Sequence, residues 1–340
     1  MASRDLSPLT SNYWRRFWRS QHTNPPPFPK DISLTGKVAI VTGSNTGLGF
    51  ESSRQFLSLG LSRLIMGVRS IERGEEAAAR LRESFPKAII EVWVVDMASY
   101  DSIQKFVHKV EKELDILDIA VLNAGINRHV FGLNKTTRHE ETLQINYLST
   151  FLLAILLLPS LKSKSPLGSP GRLTIISSAL ANIAVLPEHK LTAILTALDD
   201  PKNFGSPTYG SSKLLGHYFL WKLMDLEYVK AEDVVINLIE PGFLKGTEFN
   251  RDVKGGLAIG LKLVQALVAR TVTDAGTTVV DAIAVKGKEA HGCYMADWEV
   301  RPFPPSLYTQ DGRDTMDKLW GETMAEFGVA NARGILEGMK

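Results

Sequence analysis

From residue 36 onward the chain alternates between two hydrophobic patterns. Apolar, β-branched runs occur at 37–42, 63–68, 88–95, 117–122, 172–177 and 234–239. Between them, apolar residues recur at helical spacing over roughly 47–59, 71–84, 101–114, 139–160 and 209–228. Short, predominantly apolar runs fit strands buried on both faces. Such strands alternating with helices predict a parallel sheet wound by right-handed crossovers into an open, doubly wound α/β fold of Rossmann type. No internal repeat and no second strand–helix series appears. The expected organisation is one domain over 35–310, an N-terminal arm over 1–34 and a C-terminal extension over 311–340. Residues 179–206 and 243–310 exceed what a bare sheet needs. Long excursions at the carboxyl side of a sheet are where substrate-shaping loops belong.

The first run leads straight into "VTGSNTGLGF" (41–50), with Gly43, Gly47 and Gly49. Gly43 permits a tight turn out of the strand. Gly47 and Gly49 let backbone and helix approach a pyrophosphate at a helix N-terminus, where free N–H groups and the dipole favour negative charge. The second strand ends in "LIMGVRSIERG". An NAD site places an acid about 20 residues beyond the glycines, on the ribose 2′-OH. Here Val68 and Arg69 stand in its place, and a guanidinium pairs with a 2′-phosphate. The reading favours NADP, although Glu72 nearby leaves NAD open.

"YGSSK" (209–213) puts Tyr209 and Lys213 at i and i+4, on one helical face. A phenol near pKa 10 is a poor proton carrier at neutral pH; a nearby ammonium brings it closer to working range. The pair is common by chance. It gains weight by opening a helix downstream of a strand that ends in "IISS" (175–178).

Composition narrows the class further. The chain has 340 residues, a formal net charge of +2 and one cysteine, Cys293. No global field recruits nucleic acid, no disulfide framework exists, and a reducing, cytoplasmic setting fits. No zinc-ligand spacing occurs: "RHEETLQ" (138–144) lacks a second histidine. His189, His217 and His291 read as structural or solvated. The arm clusters Tyr13, Trp14, Phe17 and Trp18 with Arg15, Arg16 and Arg19. It reads first as a segment packed on its own domain, and second as a peripheral contact with an anionic membrane. The apolar stretch 147–159 is too short to span a bilayer and reads as a buried helix. Residues 255–272 read as an amphipathic helix: a lid, a homodimer contact or a membrane-facing surface.

In this order, the motifs make the chain resemble the short-chain dehydrogenase/reductases. Thr-Gly-x-x-x-Gly-x-Gly stands at Thr42–Gly49, an acid after the third strand at Asp96, and Asn-Ala-Gly at Asn123, Ala124 and Gly125. A helix asparagine stands at Asn146, the serine at Ser178, the Tyr-Lys pair at Tyr209 and Lys213, and Pro-Gly at Pro241 and Gly242. The flanks "FPKDISLTGKVAIVTG", "GVRSIERGE" and "LWGE" (319–322) are similar to retinol-dehydrogenase-like reductases, the fungal secondary-metabolism enzymes above all.

The resemblance implies an NADP(H)-dependent oxidoreductase that interconverts a ketone or aldehyde and an alcohol on a lipophilic small molecule. It implies a catalytic set of Asn146, Ser178, Tyr209 and Lys213. Tyr209 would pass the proton, Lys213 would bind ribose hydroxyls and depress the Tyr209 pKa, Ser178 would bind the substrate oxygen, and Asn146 would hold a water beside Lys213. Thr42, Gly43, Asn45, Gly47, Leu48, Gly49, Arg69 and Asp96 would join Asn123–Gly125, Pro241, Gly242 and Thr247 around the cofactor. Two features depart from the pattern. Thirty residues separate Ser178 from Tyr209, and "PGFLKGTEF" carries Thr247 one position late. The rival reading is a non-catalytic NADP-binding scaffold of the same fold.

Overall fold

The computed structural model describes residues 1–166, 168–187, 193–245 and 264–340. Its centre is one eight-stranded sheet in the order β3-β2-β1-β4-β5-β6-β7-β8. The strands are β1 (Val38–Thr42), β2 (Arg63–Val68), β3 (Ile89–Val94), β4 (Ile119–Leu122), β5 (Gly171–Ile176), β6 (Val234–Glu240), β7 (Cys293–Ala296) and β8 (Glu299–Arg301). All neighbours are parallel except β7 and β8. The order reverses between β1 and β4, so a crevice opens above their carboxyl ends.

Alternation along each strand divides the core in two. Ala39 and Val41 of β1 join one cluster; Val38 and Ile40 join the other. After the arm helix α1 (Tyr13–Gln21) come α2 (Gly47–Ser58), α3 (Ile71–Ser84), α4 (Tyr100–Glu113), α5 (Glu141–Lys164), α6 (Thr208–Asp225), α7 (Val272–Val280) and α8 (Gln310–Glu326). Phe56 of α2, Leu81 of α3 and Val279 of α7 cover the first face. Phe106 of α4, Leu152 of α5 and Phe219 of α6 cover the second. Helix α5 is long and apolar enough to cross a membrane, but its apolar side chains lie almost entirely inside the fold.

The strands and helices expected over 36–240 are present within three residues at their ends, apart from α5, which starts irregularly and runs four residues further, to Lys164. Further elements were not foreseen. Strands β7 and β8 extend the sheet through a two-residue turn at Asp297–Trp298. Within α5, Gln144–Ser149 form a wide π-helical turn. Helix α8 does not stand apart from the domain. Trp320 packs on Phe219 at 4.9 Å between ring centroids, and Tyr147 Oη lies 2.7 Å from Thr323 Oγ1. Its Glu322, in "LWGE", accepts the Ile194 and Leu195 N–H groups, each at 2.9 Å, and thereby fixes part of the 179–206 excursion.

Candidate active site

At the end of β1 the chain enters its left-handed turns: Gly43 has φ 64° and Gly47 φ 58°. Gly49 has another reason to lack a side chain. A Cβ there would stand 2.5 Å from both Asn123 Nδ2 and the Gly43 carbonyl. Helix α2 therefore starts hard against the turn, and Thr46 at its head makes no side-chain cap. Its first N–H groups are left for an anion. A backbone cradle of this kind fits a dinucleotide pyrophosphate.

Gly43, Asn45, Gly47 and Leu48 line a continuous cleft of about 730 Å³. At one end Arg69, Ser70 and Arg73 join it, whereas Glu72 does not. Arg73 lies four residues beyond Arg69, a spacing legible in "GVRSIERGE". Asp96 lines the cleft and accepts the Ala98 N–H at 3.0 Å. Thr42 and Gly49 act from behind the lining. Thr42 is fully buried, and its Oγ1 accepts the N–H groups of Asn123 and Ala124, each at 3.0 Å. It staples β1 to the end of β4, so Asn123, Ala124 and Gly125 reach the cleft.

At the other end, Ser178, Tyr209 and Lys213 converge with Pro241 and Gly242. Tyr209 and Ser178 interact through their side chains. Lys213 Nζ donates to the Ile176 carbonyl at 2.7 Å and lies 5.9 Å from the centre of the Tyr209 ring. Burial pushes the Lys213 ammonium down to about 8. The lowering of the Tyr209 pKa expected from Lys213 is absent. Burial pushes the phenol up, Ser178 pulls it down, and the Glu240 carboxylate raises it again. A partly desolvated ammonium above the ring does not outweigh those effects.

Asn146 sits in the π-helical turn and is buried behind the cleft. Its amide is fully used: Oδ1 accepts the Ile126 N–H at 2.8 Å, and Nδ2 donates to the Ile126 carbonyl at 2.8 Å and to Ser212 Oγ at 3.0 Å. π-turns often mark functional sites; this one aims Asn146 at the loop after β4. Thr247 lies outside the described residues.

Two buried groups stand beside the site: His217, read from the sequence as structural or solvated, and Glu240, which the sequence reading did not single out. His217, one turn beyond Lys213 on α6, places Nε2 2.8 Å from Ser177 Oγ. Burial and the neighbouring Lys213 hold it down near 3, so it adds no charge at neutral pH. Glu240 closes β6 and hydrogen-bonds the Tyr294 hydroxyl. Burial raises its carboxyl to about 7. The spacing of Tyr209, Lys213 and His217 was legible as one helical face. Nothing in "LIEPGF" signalled an acid facing a tyrosine of a later strand.

Comparison with known proteins settles the family. Residues 37–187 match the short chain dehydrogenase family. The short chain dehydrogenase/reductase mfmJ of Annulohypoxylon moriforme is 50% identical over 343 aligned residues, covering 100% of this chain and 99% of its own. The chain is a short-chain dehydrogenase/reductase. The short chain dehydrogenase virL of Hypocrea virens is 44% identical, with 95% and 94% covered. Among solved structures, the NADPH-dependent 3-quinuclidinone reductase from Rhodotorula rubra shares the fold with a TM-score of 0.59 at 22% identity, covering 79% of this chain and 93% of its own. As a member of this family the chain is an oxidoreductase that acts on a small-molecule carbonyl or alcohol with a nicotinamide cofactor.

Proposed function

We propose that the protein is an NADP(H)-dependent carbonyl reductase or alcohol dehydrogenase for a lipophilic small molecule, a polyketide or terpenoid of secondary metabolism. The observation that carries the chemistry is the convergence of Ser178, Tyr209 and Lys213 in the same cleft as the glycine turn. Arg69 and Arg73 at the far end, with Glu72 outside it, support the phosphorylated cofactor. Several neighbours in fold are described as bound to NADP or NADPH. The apolar character of Leu180, Phe243 and Leu244 around the catalytic end supports a lipophilic substrate.

The cofactor, when bound, supplies or accepts the hydride. The glycine turn and the open head of α2 would hold its pyrophosphate, Arg69 and Arg73 its 2′-phosphate, and Lys213 its nicotinamide ribose. In reduction, carbonyl carbon gains a hydride and carbonyl oxygen gains the Tyr209 proton; oxidation reverses both. Ser178 hydrogen-bonds the same oxygen as it acquires charge. Incubation with NADPH and a panel of ketones and aldehydes tests the reading. Tyr209→Phe is expected to lower kcat by about 10²–10⁴-fold while NADP(H) still binds. Undiminished turnover would remove Tyr209 from its role. Tight cofactor binding without turnover on any carbonyl would favour the scaffold instead.

A further inference from the structure

The arm does more than pack on the domain. On α1, Tyr13, Phe17 and Gln21 share one face at i, i+4 and i+8. Gln21, 7% exposed, grips the backbone of Phe243: its amide donates to that carbonyl at 2.9 Å and accepts that N–H at 3.0 Å. Phe243 directly follows Pro241 and Gly242. The arm is therefore tied to the catalytic end of the cleft.

A second tie lies behind it. Ser20 Oγ donates to Asp297 at 2.7 Å, and Arg270 binds both Asp297 and the Ser20 carbonyl. Asp297 and Trp298 form the β7–β8 turn with φ 53° and 62°. Positive φ is uncommon for a bulky residue, costs free energy, and persists only where the surroundings impose it. Trp298 is held by Arg270 over its ring at 4.9 Å and by a 3.0 Å bond to Thr277. The turn holds Asp297 where the arm needs it.

So anchored, α1 presents a run of rings to the cleft. Tyr13 and Phe17 stack at 6.1 Å, Trp14 meets them edge-on at 5.2 and 6.2 Å, and Phe17 reaches Phe243 at 6.3 Å. All four line the cleft. The cluster is not closed on itself: Tyr13 and Phe17 are only half-buried, and Trp14 is 66% exposed.

We propose that Tyr13, Trp14 and Phe17 of the arm, with Phe243, form a substrate-recognition wall that takes the aromatic ring of a planar aryl ketone or its alcohol. This rests on the oxidoreductase reading above and names the substrate class of the same site. Offset-stacked and edge-to-face ring pairs add attraction beyond area burial. A saturated ring of the same size gains the burial without that addition. Burial and the Glu240 carboxylate push the Tyr13 phenol up to about 12, so it keeps its proton at neutral pH as a hydrogen-bond donor.

The test compares 1-tetralone with 1-decalone, ten-carbon bicyclic ketones that differ in aromaticity. Each is titrated into NADP⁺-loaded protein by calorimetry. Wild type is expected to prefer 1-tetralone about tenfold, and Phe17→Leu, which keeps apolar bulk, to reduce the preference below about twofold. Trp14→Ala, at an exposed position, is expected to reduce it with an unchanged melting temperature. NADP⁺ affinity stays unchanged in both variants. No preference in wild type, or a preference that survives both substitutions, overturns the inference while leaving the cofactor site standing. Failure of NADP⁺ itself to bind removes the underlying reading as well. Pelleting with phosphatidylserine vesicles that is lost in Trp14→Ala, while ketone binding is unchanged, would make this face a lipid contact and also overturn the wall.

Discussion

Replacing Glu240 by glutamine tests whether the buried acid at the end of β6 behaves as its surroundings require. Glu240 is 7% exposed, accepts a bond from the Tyr294 hydroxyl, and lies near Asp297 as well as Arg270 and Arg301. Burial raises its carboxyl from 4.5 to about 7. The folded protein thus binds a proton that the unfolded chain has released between those values. Its contribution to stability is largest below about pH 4.5 and is lost as pH rises through about 7. A shift of that size corresponds to about 3 kcal/mol at 1.36 kcal/mol per unit. With an unfolding entropy of about 2.1 cal/mol/K per residue over a chain of this length, that is about 4 °C in melting temperature. Glu240→Gln preserves shape and does not titrate. Whatever fixed cost it carries, its melting temperature relative to wild type should rise by about 4 °C between pH 5 and pH 8. Paired scans by differential scanning calorimetry at one scan rate measure this difference. Parallel pH profiles for the two proteins would refute the reasoning. Loss of the carboxylate also removes a charge that raises the Tyr209 phenol, so the acid limb of alcohol oxidation should move to lower pH.

Arg69→Ala is expected to weaken NADPH binding by about 10- to 100-fold, with little change for NADH, in fluorescence titrations; equal losses would remove the 2′-phosphate contact. Gly49→Ala places a methyl 2.5 Å from a backbone carbonyl and from Asn123, and should cost about 1–3 kcal/mol in denaturant unfolding along with cofactor affinity. Gly321→Ala, on a helix with nothing within 4 Å, should instead stabilise by about 0.5–1 kcal/mol and serves as its control. His139 is pushed down by burial but raised further by Asp199 and Glu326, to about 9 overall. Its contribution is present below about pH 6.5 and lost as pH rises through about 9. Urea unfolding of His139→Gln should lack the decline in that window, worth up to about 3 kcal/mol in wild type.

The fold was legible where local chemistry decides it. The six apolar runs read as buried strands, and the glycines at 43, 47 and 49 marked a tight turn out of the first of them. Tyr209 and Lys213 were legible because one helical turn suffices to relate them. Strands β7 and β8 were not, since four and three residues carry too little periodicity and their hairpin uses Asp297–Trp298 in place of a glycine-bearing turn. The π-helical turn around Asn146 depends on how α5 meets the loop after β4, and no local pattern encodes that. Glu240 was hidden for the same reason, its partner Tyr294 lying 54 residues away. The tyrosine pKa went the other way from the expectation because burial is a property of the assembled site. For the arm, the sequence offered two faces of one amphipathic helix, and only the tertiary contacts of Gln21 and Ser20 show which one turns inward.

Those contacts also impose a timetable on synthesis. Ser20 meets its partner 277 residues later, and Ser3 bonds to Tyr294 across 291. At roughly 5–20 residues per second, the arm leaves the ribosome about 15–60 seconds before Asp297 and Tyr294 exist. Until then its clustered aromatic rings have no settled place, and the nascent chain must keep an oily, basic arm from adhering elsewhere. Final closure of the pocket is thus a late event, and chaperone dependence should concentrate on the interval between those two ends.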